Sequence, residues 1–303
     1  MIGYKLMKIL ITGAKGQVGT EVVAQAIKRG HDVQGFGSKN LDISNAEQVN
    51  NTVQQIPPDV IINAAAYTSV DKAETEQEMA YAVNSQGSEN LAKVCKQYNI
   101  PLLHISTDYV YDGEKQTPYI ETDTPIPTGV YGASKLEGDQ KIEQLWHKHI
   151  ILRVSWVFGE HGNNFVKSML RLAEQRDELS IVNDQFAAPT SAQAISSRLL
   201  DILEDRQFNQ ASCTWGIYNL QSDPGVTWYD FAQEIFTQTQ QLGLINKTMK
   251  LNPIPSSQFP TPVKRPANSK LDGKKLQQYF ELLPVDWKAD LKVMLESINT
   301  PII

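Results

Sequence analysis

A tyrosine and a lysine four residues apart, Tyr131 and Lys135, have the side chains for acid–base chemistry. On a helix, this spacing places both side chains on one face, about one turn apart. A free phenol has a pKa of about 10, so it exchanges protons poorly at neutral pH. A nearby ammonium group favours the phenolate and lowers that pKa towards the working range. The pair therefore predicts a proton-donating site, although the same spacing also suits an ordinary solvated helix face.

A glycine-rich turn near the amino end predicts a dinucleotide site. The apolar run at 8–12 is followed by Gly13, Gly16 and Gly19 and then by a helical apolar pattern. Strand, glycine turn and helix occur in the order that a dinucleotide fold requires. Glycines let the backbone approach a pyrophosphate, which the free N–H groups of the helix start bind. The alternative is an ordinary β–α turn with a glycine bend.

A third candidate site segment, Ser106 and Thr107, follows the apolar run at 100–105. A hydroxyl at the carboxyl end of a parallel strand faces the ligand crevice of such a sheet. Thr107 is thus a candidate to hydrogen-bond a substrate carbonyl oxygen. A strand-end Ser-Thr turn explains the same residues without a ligand.

The elements that must position these groups alternate through the first half of the chain. Strand patterns lie at 8–12, 32–35, 60–63, 101–106 and 150–154, and helical patterns lie at 17–29, 46–54, 79–98 and 134–148. This alternation predicts an α/β fold: a Rossmann-type, doubly wound parallel sheet with helices on both faces. The second half is less regular, with helices predicted at 165–176, 192–204 and 228–240 and a late strand at 215–220.

Composition narrows the classes of partner. The net charge of −6 and the absence of a basic run argue against nucleic acid. Cys95 and Cys213 lie far apart in sequence, which fits a reducing cytosol rather than a disulfide scaffold. No apolar stretch approaches the roughly 20 residues that span a bilayer. The start is too short for a signal peptide, and Met7 opens the first strand, so residues 1–6 are predicted to be an extension outside the fold.

The glycine-rich turn, the Ser-Thr pair and the Tyr131–Lys135 pair occur in a set order along the chain. This order resembles that of the extended, nucleotide-sugar branch of the short-chain dehydrogenase/reductase superfamily. Further segments are similar to one family within it, the dTDP-4-dehydrorhamnose reductases. These segments are 63–74, 106–111, 153–159, 162–165, 183–190 and 265–269. The resemblance runs from about Met7 to the last helix.

The resemblance implies NADPH-dependent reduction of the C4 ketone of dTDP-4-dehydro-β-L-rhamnose to dTDP-β-L-rhamnose. This is the last step of dTDP-L-rhamnose synthesis for surface polysaccharide, in the cytoplasm, and it leaves a homodimer open. The implied division is an NAD(P)-binding domain at 7–155 and a smaller, discontinuous substrate domain at 156–189 and 223–300. A late strand near 190–222 returns to the main sheet.

The resemblance also implies residue roles. Tyr131 donates the proton, Lys135 lowers the tyrosine pKa and binds the nicotinamide ribose, and Thr107 positions the substrate oxygen. With Tyr131 and Lys135, the implied cofactor-binding residues are Gly13, Gly16, Gln17, Val18, Gly19, Asp42, Ile43, Ala64, Ala65, Ala66, Tyr67 and Thr68. The implied substrate-binding residues are Thr107, Asp108, Tyr109, Trp156 and Arg265.

Several of these roles have structural alternatives. The alanines also suit tight helix–sheet packing, Trp156 also suits a core position, and Arg265 also suits a salt bridge to an acid of the last helix. Asn84 resembles a helix asparagine that stabilises the site. Ala187 stands where the family usually has glycine, and it would be strained if its φ were positive. No residue set supports a metal site.

Cofactor choice depends on the end of the second strand. The stretch 35–40 lacks the acid that usually binds the ribose hydroxyls of NAD. Ser38 and Lys39 suit a 2′-phosphate instead, which favours NADPH with NADH also accepted. A solvated Lys39 is the alternative. In the resembling family, Asp42 would hydrogen-bond the adenine and Ile43 would pack on it.

Two other functions compete with this reductase. One is another nucleotide-sugar reductase or an epimerase on the same scaffold. The other is a non-catalytic NADP-binding regulatory subunit. The intact set of Thr107, Tyr131 and Lys135 argues against the regulatory subunit, which needs none of them.

Overall fold

The computed structural model describes residues 6–208 and 210–299. Of the predicted extension at 1–6, only Leu6 falls within this part, and it is exposed. In chain order the strands are β1 (Lys8–Thr12), β2 (Asp32–Phe36), β3 (Val60–Asn63), β4 (Leu102–Thr107), β5 (His149–Val154), β6 (Val157–Phe158), β7 (Glu178–Val182), β8 (Phe186–Ala187), β9 (Thr190–Ser191), β10 (Gly216–Asn219), β11 (Ser222–Asp223), β12 (Val226–Thr227), β13 (Lys250–Ile254) and β14 (Val285–Asp286).

The α-helices are α1 (Gln17–Lys28), α2 (Ala46–Gln55), α3 (Val70–Ala73), α4 (Gln77–Tyr81), α5 (Gly87–Tyr98), α6 (Val130–Leu145), α7 (Phe165–Gln175), α8 (Ala192–Glu204), α9 (Trp228–Gln241), α10 (Lys274–Phe280) and α11 (Trp287–Asn299). A π-helical turn at Ala82–Gln86 joins α4 to α5, and 3₁₀ turns lie at Asp108–Val110 and Ser256–Gln258.

A six-stranded sheet with the order β10-β5-β4-β3-β1-β2 forms the centre of the molecule. Its strands pair in parallel throughout. The chain passes from β1 to β2 on one side and then crosses to β3 on the other side of β1. Ligand crevices open at such a switch point, at the carboxyl ends of the strands. The predicted doubly wound α/β fold is confirmed.

Apolar side chains cover both faces of the sheet. Ile9 and Ile11 of β1 belong to a buried cluster that also contains residues of α1 and α8. Leu10, between them, belongs to a second cluster with residues of α2, α5 and α6. Successive strand residues point to opposite faces, so a strand covered on both sides is a continuous apolar run. This packing holds the strand ends, and the polar residues that follow them, in fixed places.

Two helices differ from the sequence prediction near the crevice. α6 begins at Val130 rather than at 134, so Tyr131 lies in its first turn. The helix predicted at 79–98 is interrupted by the π-helical turn that carries Asn84. A π turn widens a helix locally and often occurs at functional sites.

The second half packs around its own apolar cluster. Residues of α7, α9 and α11 enclose Phe158 and Trp287, both fully buried. β7 and β13 pair in parallel beside them, whereas β10 pairs with β5 of the central sheet. The division into a cofactor domain and a discontinuous substrate domain stays a prediction.

Candidate active site

A cavity of about 490 Å³ opens at the carboxyl ends of the central strands. Its lining joins the start of α1, the ends of β4 and β5, the first turns of α6 and aromatic side chains of the second half. The predicted site residues that it brings together are Gly16, Gln17, Val18, Ala64, Ala66, Thr68, Thr107, Asp108, Tyr109, Tyr131, Lys135, Trp156 and Arg265.

The three glycines of the first turn have different roles in the structure. Gly13 has a φ of +67°, and a Cβ there would lie 2.4 Å from the carbonyl oxygen of Ala64. A Cβ on Gly19 would lie 2.0 Å from the carbonyl oxygen of Gly13. Both positions therefore require glycine for close backbone packing. Gly16 is the N-cap of α1 and lines the cavity, so the first N–H groups of this helix face the space where an anion would bind.

The segment after β3 is held against α6 by Asn84, which is buried in the π-helical turn. The Tyr67 backbone N–H donates to Asn84 Oδ1 at 2.8 Å. Asn84 Nδ2 donates in turn to the carbonyl oxygen of Tyr67 (3.0 Å) and to Ser134 Oγ (3.0 Å). Asn84 thus fixes the alanine-rich stretch beside the cavity, in line with the stabilising role that the resemblance implies.

Several predicted cofactor residues lie outside the cavity lining. Asp42 Oδ1 accepts hydrogen bonds from the backbone N–H and the hydroxyl of Ser44, at 2.9 and 2.7 Å. Asn45 caps α2, where its side chain accepts a hydrogen bond from the backbone N–H of Gln48. Ile43 is buried in the apolar cluster beneath α2 and α5. Contact of Asp42 and Ile43 with an adenine stays a prediction.

The predicted proton donor, Tyr131, is a half-buried phenol in the cavity lining. Burial raises the pKa of Tyr131 above the usual value, and the nearby Thr107 hydroxyl lowers it only in part. Its ring meets that of Tyr109 edge to face, with 5.5 Å between centroids. Thr107 Oγ1 donates to Asp108 Oδ1 at 3.1 Å and accepts from the backbone N–H of Tyr109 at 3.2 Å. Tyr131 is therefore protonated at neutral pH and able to donate.

Lys135 is directed towards β4 rather than along α6. Its Nζ donates to the carbonyl oxygen of Ile105 at 2.7 Å and lies 3.1 Å from Nε2 of His104. Burial lowers the pKa of Lys135 to about 8, and the charge of Asp139 opposes this shift. Burial is the largest influence on the pKa of Tyr131 in this arrangement, and the expectation that Lys135 lowers that pKa stays a prediction.

A buried polar group behind the crevice was missed in the sequence. Asp139, four residues after Lys135 on α6, accepts from Ser106 Oγ at 2.7 Å. Arg153 Nη2 lies 3.5 Å from the same carboxylate, and Arg153 Nη1 donates to the Tyr111 hydroxyl at 2.8 Å. The spacing of four from Lys135 was the available signal, since it places Asp139 on the same helix face.

Aromatic rings form the opposite side of the cavity. Trp156 has a φ of +43°, uncommon for a bulky residue, and stacks on Trp228 with 3.5 Å between ring centroids. Phe165 packs on Trp228 at 4.6 Å. Nothing in the sequence pointed to Trp228, which opens α9 far from the other site residues. Trp228 and Phe165 also line a neighbouring cavity of about 800 Å³.

Arg265 lies between the two cavities and lines both. Its Nη2 forms an ion pair with Asp71 Oδ2 at 2.9 Å, and Nη1 lies 3.5 Å from the Tyr109 hydroxyl. The alternative of a salt bridge to the last helix is wrong in its partner, because Asp71 belongs to α3. About a quarter of the Arg265 side chain is exposed, so the guanidinium remains open to a ligand.

Three further observations bear on the sequence predictions. Ala187 lies in β8, paired with Val226, so the strain of a positive φ does not arise. In the described part of the chain, no helix is long and apolar enough to cross a bilayer. The same part contains one group of potential metal ligands, Glu21, Glu160 and His161. Such partly exposed acidic groups also cluster without a metal, and we assign none.

Comparisons with known proteins agree with this geometry. A family model described as the RmlD substrate binding domain matches residues 7–300. The dTDP-4-dehydrorhamnose reductase of Aggregatibacter actinomycetemcomitans is 45% identical over 288 residues, which cover 95% of this chain and 98% of the relative. The reductase of Escherichia coli (strain K12) is 40% identical over 298 residues, covering 97% and 99%.

Solved structures give the same result. A crystal structure of dTDP-4-dehydrorhamnose reductase from Bacillus anthracis str. Ames in complex with NADP matches with a TM-score of 0.89 and 33% identity. The match covers 97% of this chain and 100% of that chain.

Proposed function

The chain belongs to the dTDP-4-dehydrorhamnose reductase family, and from this premise we propose that it reduces the C4 ketone of dTDP-4-dehydro-β-L-rhamnose to dTDP-β-L-rhamnose with NADPH. This is the final step of dTDP-L-rhamnose synthesis. The observation that carries the proposal is that Thr107, Tyr131 and Lys135 line one cavity with the start of α1.

The first turn suits the cofactor. A Cβ at Gly13 or Gly19 would collide with backbone atoms, so glycine allows neighbouring backbone segments to approach closely there. The N-terminus of α1 is left open to the cavity. That arrangement binds a pyrophosphate through backbone N–H groups. When bound, NADPH supplies the hydride. The residues assigned to it are Gly13, Gly16, Gln17, Val18, Gly19, Asp42, Ile43, Ala64, Ala65, Ala66, Tyr67 and Thr68. NADH is proposed as an alternative cofactor in the same site.

The proton comes from the polar side of the cavity. A phenol is neutral at working pH and burial raises the pKa of Tyr131 further, so Tyr131 holds a proton to give. We assign the Thr107 hydroxyl to hydrogen-bond the same substrate oxygen and to hold it within reach of the phenol. Lys135 supplies positive charge beside the phenolate that forms, and it is the residue assigned to the nicotinamide ribose.

The substrate extends across the other side. Trp156 offers an aromatic face to the apolar side of the deoxyhexose, with Asp108 and Tyr109 available to its hydroxyls. Arg265 suits the diphosphate, which it binds through charge-assisted hydrogen bonds. The cavity of about 800 Å³ beyond Arg265 is of ligand size, and we assign the nucleoside to it.

A spectrophotometric assay of NADPH consumption tests this function, with dTDP- and UDP-linked 4-keto sugars as the two substrates. We expect one NADPH to be consumed for each dTDP-sugar reduced, and slower turnover of the UDP-sugar. An isomerised sugar with the cofactor unchanged would indicate an epimerase. NADPH binding without turnover of either sugar would indicate a regulatory subunit.

The proposal includes a cytoplasmic homodimer. Cys95 and Cys213 are both buried and lie far apart in sequence, which fits a reducing compartment. Sedimentation velocity of the purified enzyme tests the dimer, and fractionation of the producing cells tests the compartment.

A further inference from the structure

A buried histidine behind Lys135 has no role in the proposed reaction. His104 lies on β4 with 0% of its surface exposed. Its Nε2 is 3.1 Å from Lys135 Nζ, and its Nδ1 is 2.8 Å from Asn63 Nδ2. His104 therefore connects the crevice lysine to β3.

The partners of Asn63 determine which ring nitrogen of His104 carries the hydrogen. Asn63 Oδ1 accepts from Thr12 Oγ1 at 2.6 Å and from the Ala65 backbone N–H at 3.1 Å. The amide nitrogen of Asn63 must then face His104 and donate to Nδ1. A neutral imidazole has a single N–H, so the hydrogen of His104 lies on Nε2. Burial keeps the ring neutral, because it lowers the pKa of His104 well below the usual value.

The N–H of His104 is directed at Lys135. A lysine ammonium has only hydrogens to present, so here two donors would face each other. A neutral amine has a lone pair that accepts from Nε2–H. The second contact of Nζ, to the carbonyl oxygen of Ile105, suits both forms. The contact with His104 therefore disfavours the ammonium form of Lys135.

We propose that His104 is a positioning residue that presents an N–H to Lys135, through a tautomer fixed by Asn63, and thereby disfavours the ammonium form. The inference rests on the proposed function, in which the charge of Lys135 acts beside Tyr131. His104 then lowers the pH at which that charge is lost. The reductase rate falls as the pH rises past this point.

The other charged and titratable groups around Lys135 lie on the two elements packed beside it. α6 contributes Tyr131 and Asp139, and β5 contributes Arg153, 3.5 Å from the Asp139 carboxylate. Asp139 Oδ1 is buried without a hydrogen-bond partner and lies 3.6 Å from His104 Nε2. Asp139 attracts the ammonium, but burial outweighs it and lowers the pKa of Lys135 to about 8.

The pKa of Lys135 can be measured directly by heteronuclear NMR of lysine-labelled enzyme without added nucleotide, with the Lys135 resonance identified by its loss in Lys135→Met. We expect a wild-type value near 8. In His104→Gln, the amide can turn its oxygen to the ammonium, so the pKa of Lys135 should rise by about one unit. His31→Gln is the matched control, because this buried histidine contacts Glu204 on α8 instead. It should leave the Lys135 titration unchanged.

Thr12→Val is a second, milder test that keeps the side-chain shape. It removes one of the two donors that orient Asn63, so the pKa of Lys135 should rise by less than in His104→Gln. If His104→Gln fails to fold, Thr12→Val decides the matter. Folded variants in which Lys135 titrates as in wild type would overturn the proposal.

The alkaline limb of the reductase pH profile should move upward with the NMR pKa. Because the NMR titration needs no turnover, it judges the role of His104 even if the wild-type enzyme reduces neither sugar. Reductase activity with an unshifted lysine would instead leave the function standing and remove this role.

Discussion

The two walls of the crevice are built on different physical principles. The polar wall, formed by Thr107, Tyr131 and Lys135, stands on β4 and α6 of the central sheet. Directional contacts fix it, such as the 2.7 Å bond from Lys135 to the backbone of β4. The aromatic wall, Trp156 and Trp228, joins distant segments through ring stacking. Proton transfer needs atoms held in place, whereas sugar binding needs a shaped apolar surface.

This difference predicts where each kind of substitution acts. Changes in the polar wall should reduce the rate of the chemical step, because that step depends on the position of a few atoms. Changes in the aromatic wall should mainly alter substrate affinity, because stacked rings contribute area and shape.

The largest effect is expected for Tyr131→Phe in the polar wall. Loss of the phenolic proton should lower kcat by roughly 10²–10⁴-fold, with nearly unchanged NADPH affinity. Steady-state kinetics and calorimetric titration with NADPH measure the two quantities. Tyr98→Phe, far from the crevice on α5, is the control and should keep wild-type kcat. Full turnover by Tyr131→Phe would remove the tyrosine from the mechanism.

The next effect concerns Asp108. Burial raises the pKa of this carboxyl group to about 6. A carboxyl with a raised folded-state pKa contributes stability below its unfolded pKa and loses it as the pH rises through the folded value. The wild-type enzyme should therefore lose about 2–3 kcal/mol of stability between roughly pH 4 and pH 6 from this group.

Asp108→Asn lacks that ionisation. Its free energy of unfolding should exceed that of wild type by a margin that grows over this pH window and then stays constant. Urea unfolding at several pH values measures the difference in free energy of unfolding between the variant and the wild type. The contributions of the other acidic residues cancel in this difference. A margin that does not change with pH would show that Asp108 ionises without penalty.

A smaller effect is expected in the aromatic wall. Trp228→Ala removes the ring that stacks on Trp156 and should raise KM about tenfold, equivalent to about 1.4 kcal/mol, with kcat changed less. Trp215→Ala removes an indole that packs on Phe208 instead and is the matched control. A loss in kcat without a change in KM would abolish the distinction between the walls.

The smallest effect is expected for Asp71→Asn, which breaks the ion pair with Arg265. Both side chains are partly exposed, so the stability should change by less than about 1 kcal/mol. Arg265 would be freed for the diphosphate, and dTDP should bind slightly more tightly in a calorimetric titration. Weaker binding of dTDP would mean that Asp71 orients Arg265 for the ligand.

The same contrast explains what could be read from the sequence. The five leading strands and the glycine turn are local patterns, since burial on both faces requires continuous apolar runs. Tyr131 and Lys135 were recognisable because both lie on one helix. Trp228 was not, because only long-range packing brings α9 to the crevice. His104 lies within the strand predicted at 101–106, but its contact with Lys135 depends on how α6 packs on β4.

The most direct test of the account follows a deuterium atom. The enzyme would be supplied with NADPH deuterated at the transferable position and with dTDP-4-dehydro-β-L-rhamnose, and the product examined by NMR and mass spectrometry. The account predicts one deuterium at C4 of the product for each NADPH oxidised. An unlabelled product, a label at another carbon or a cofactor returned unchanged would contradict it.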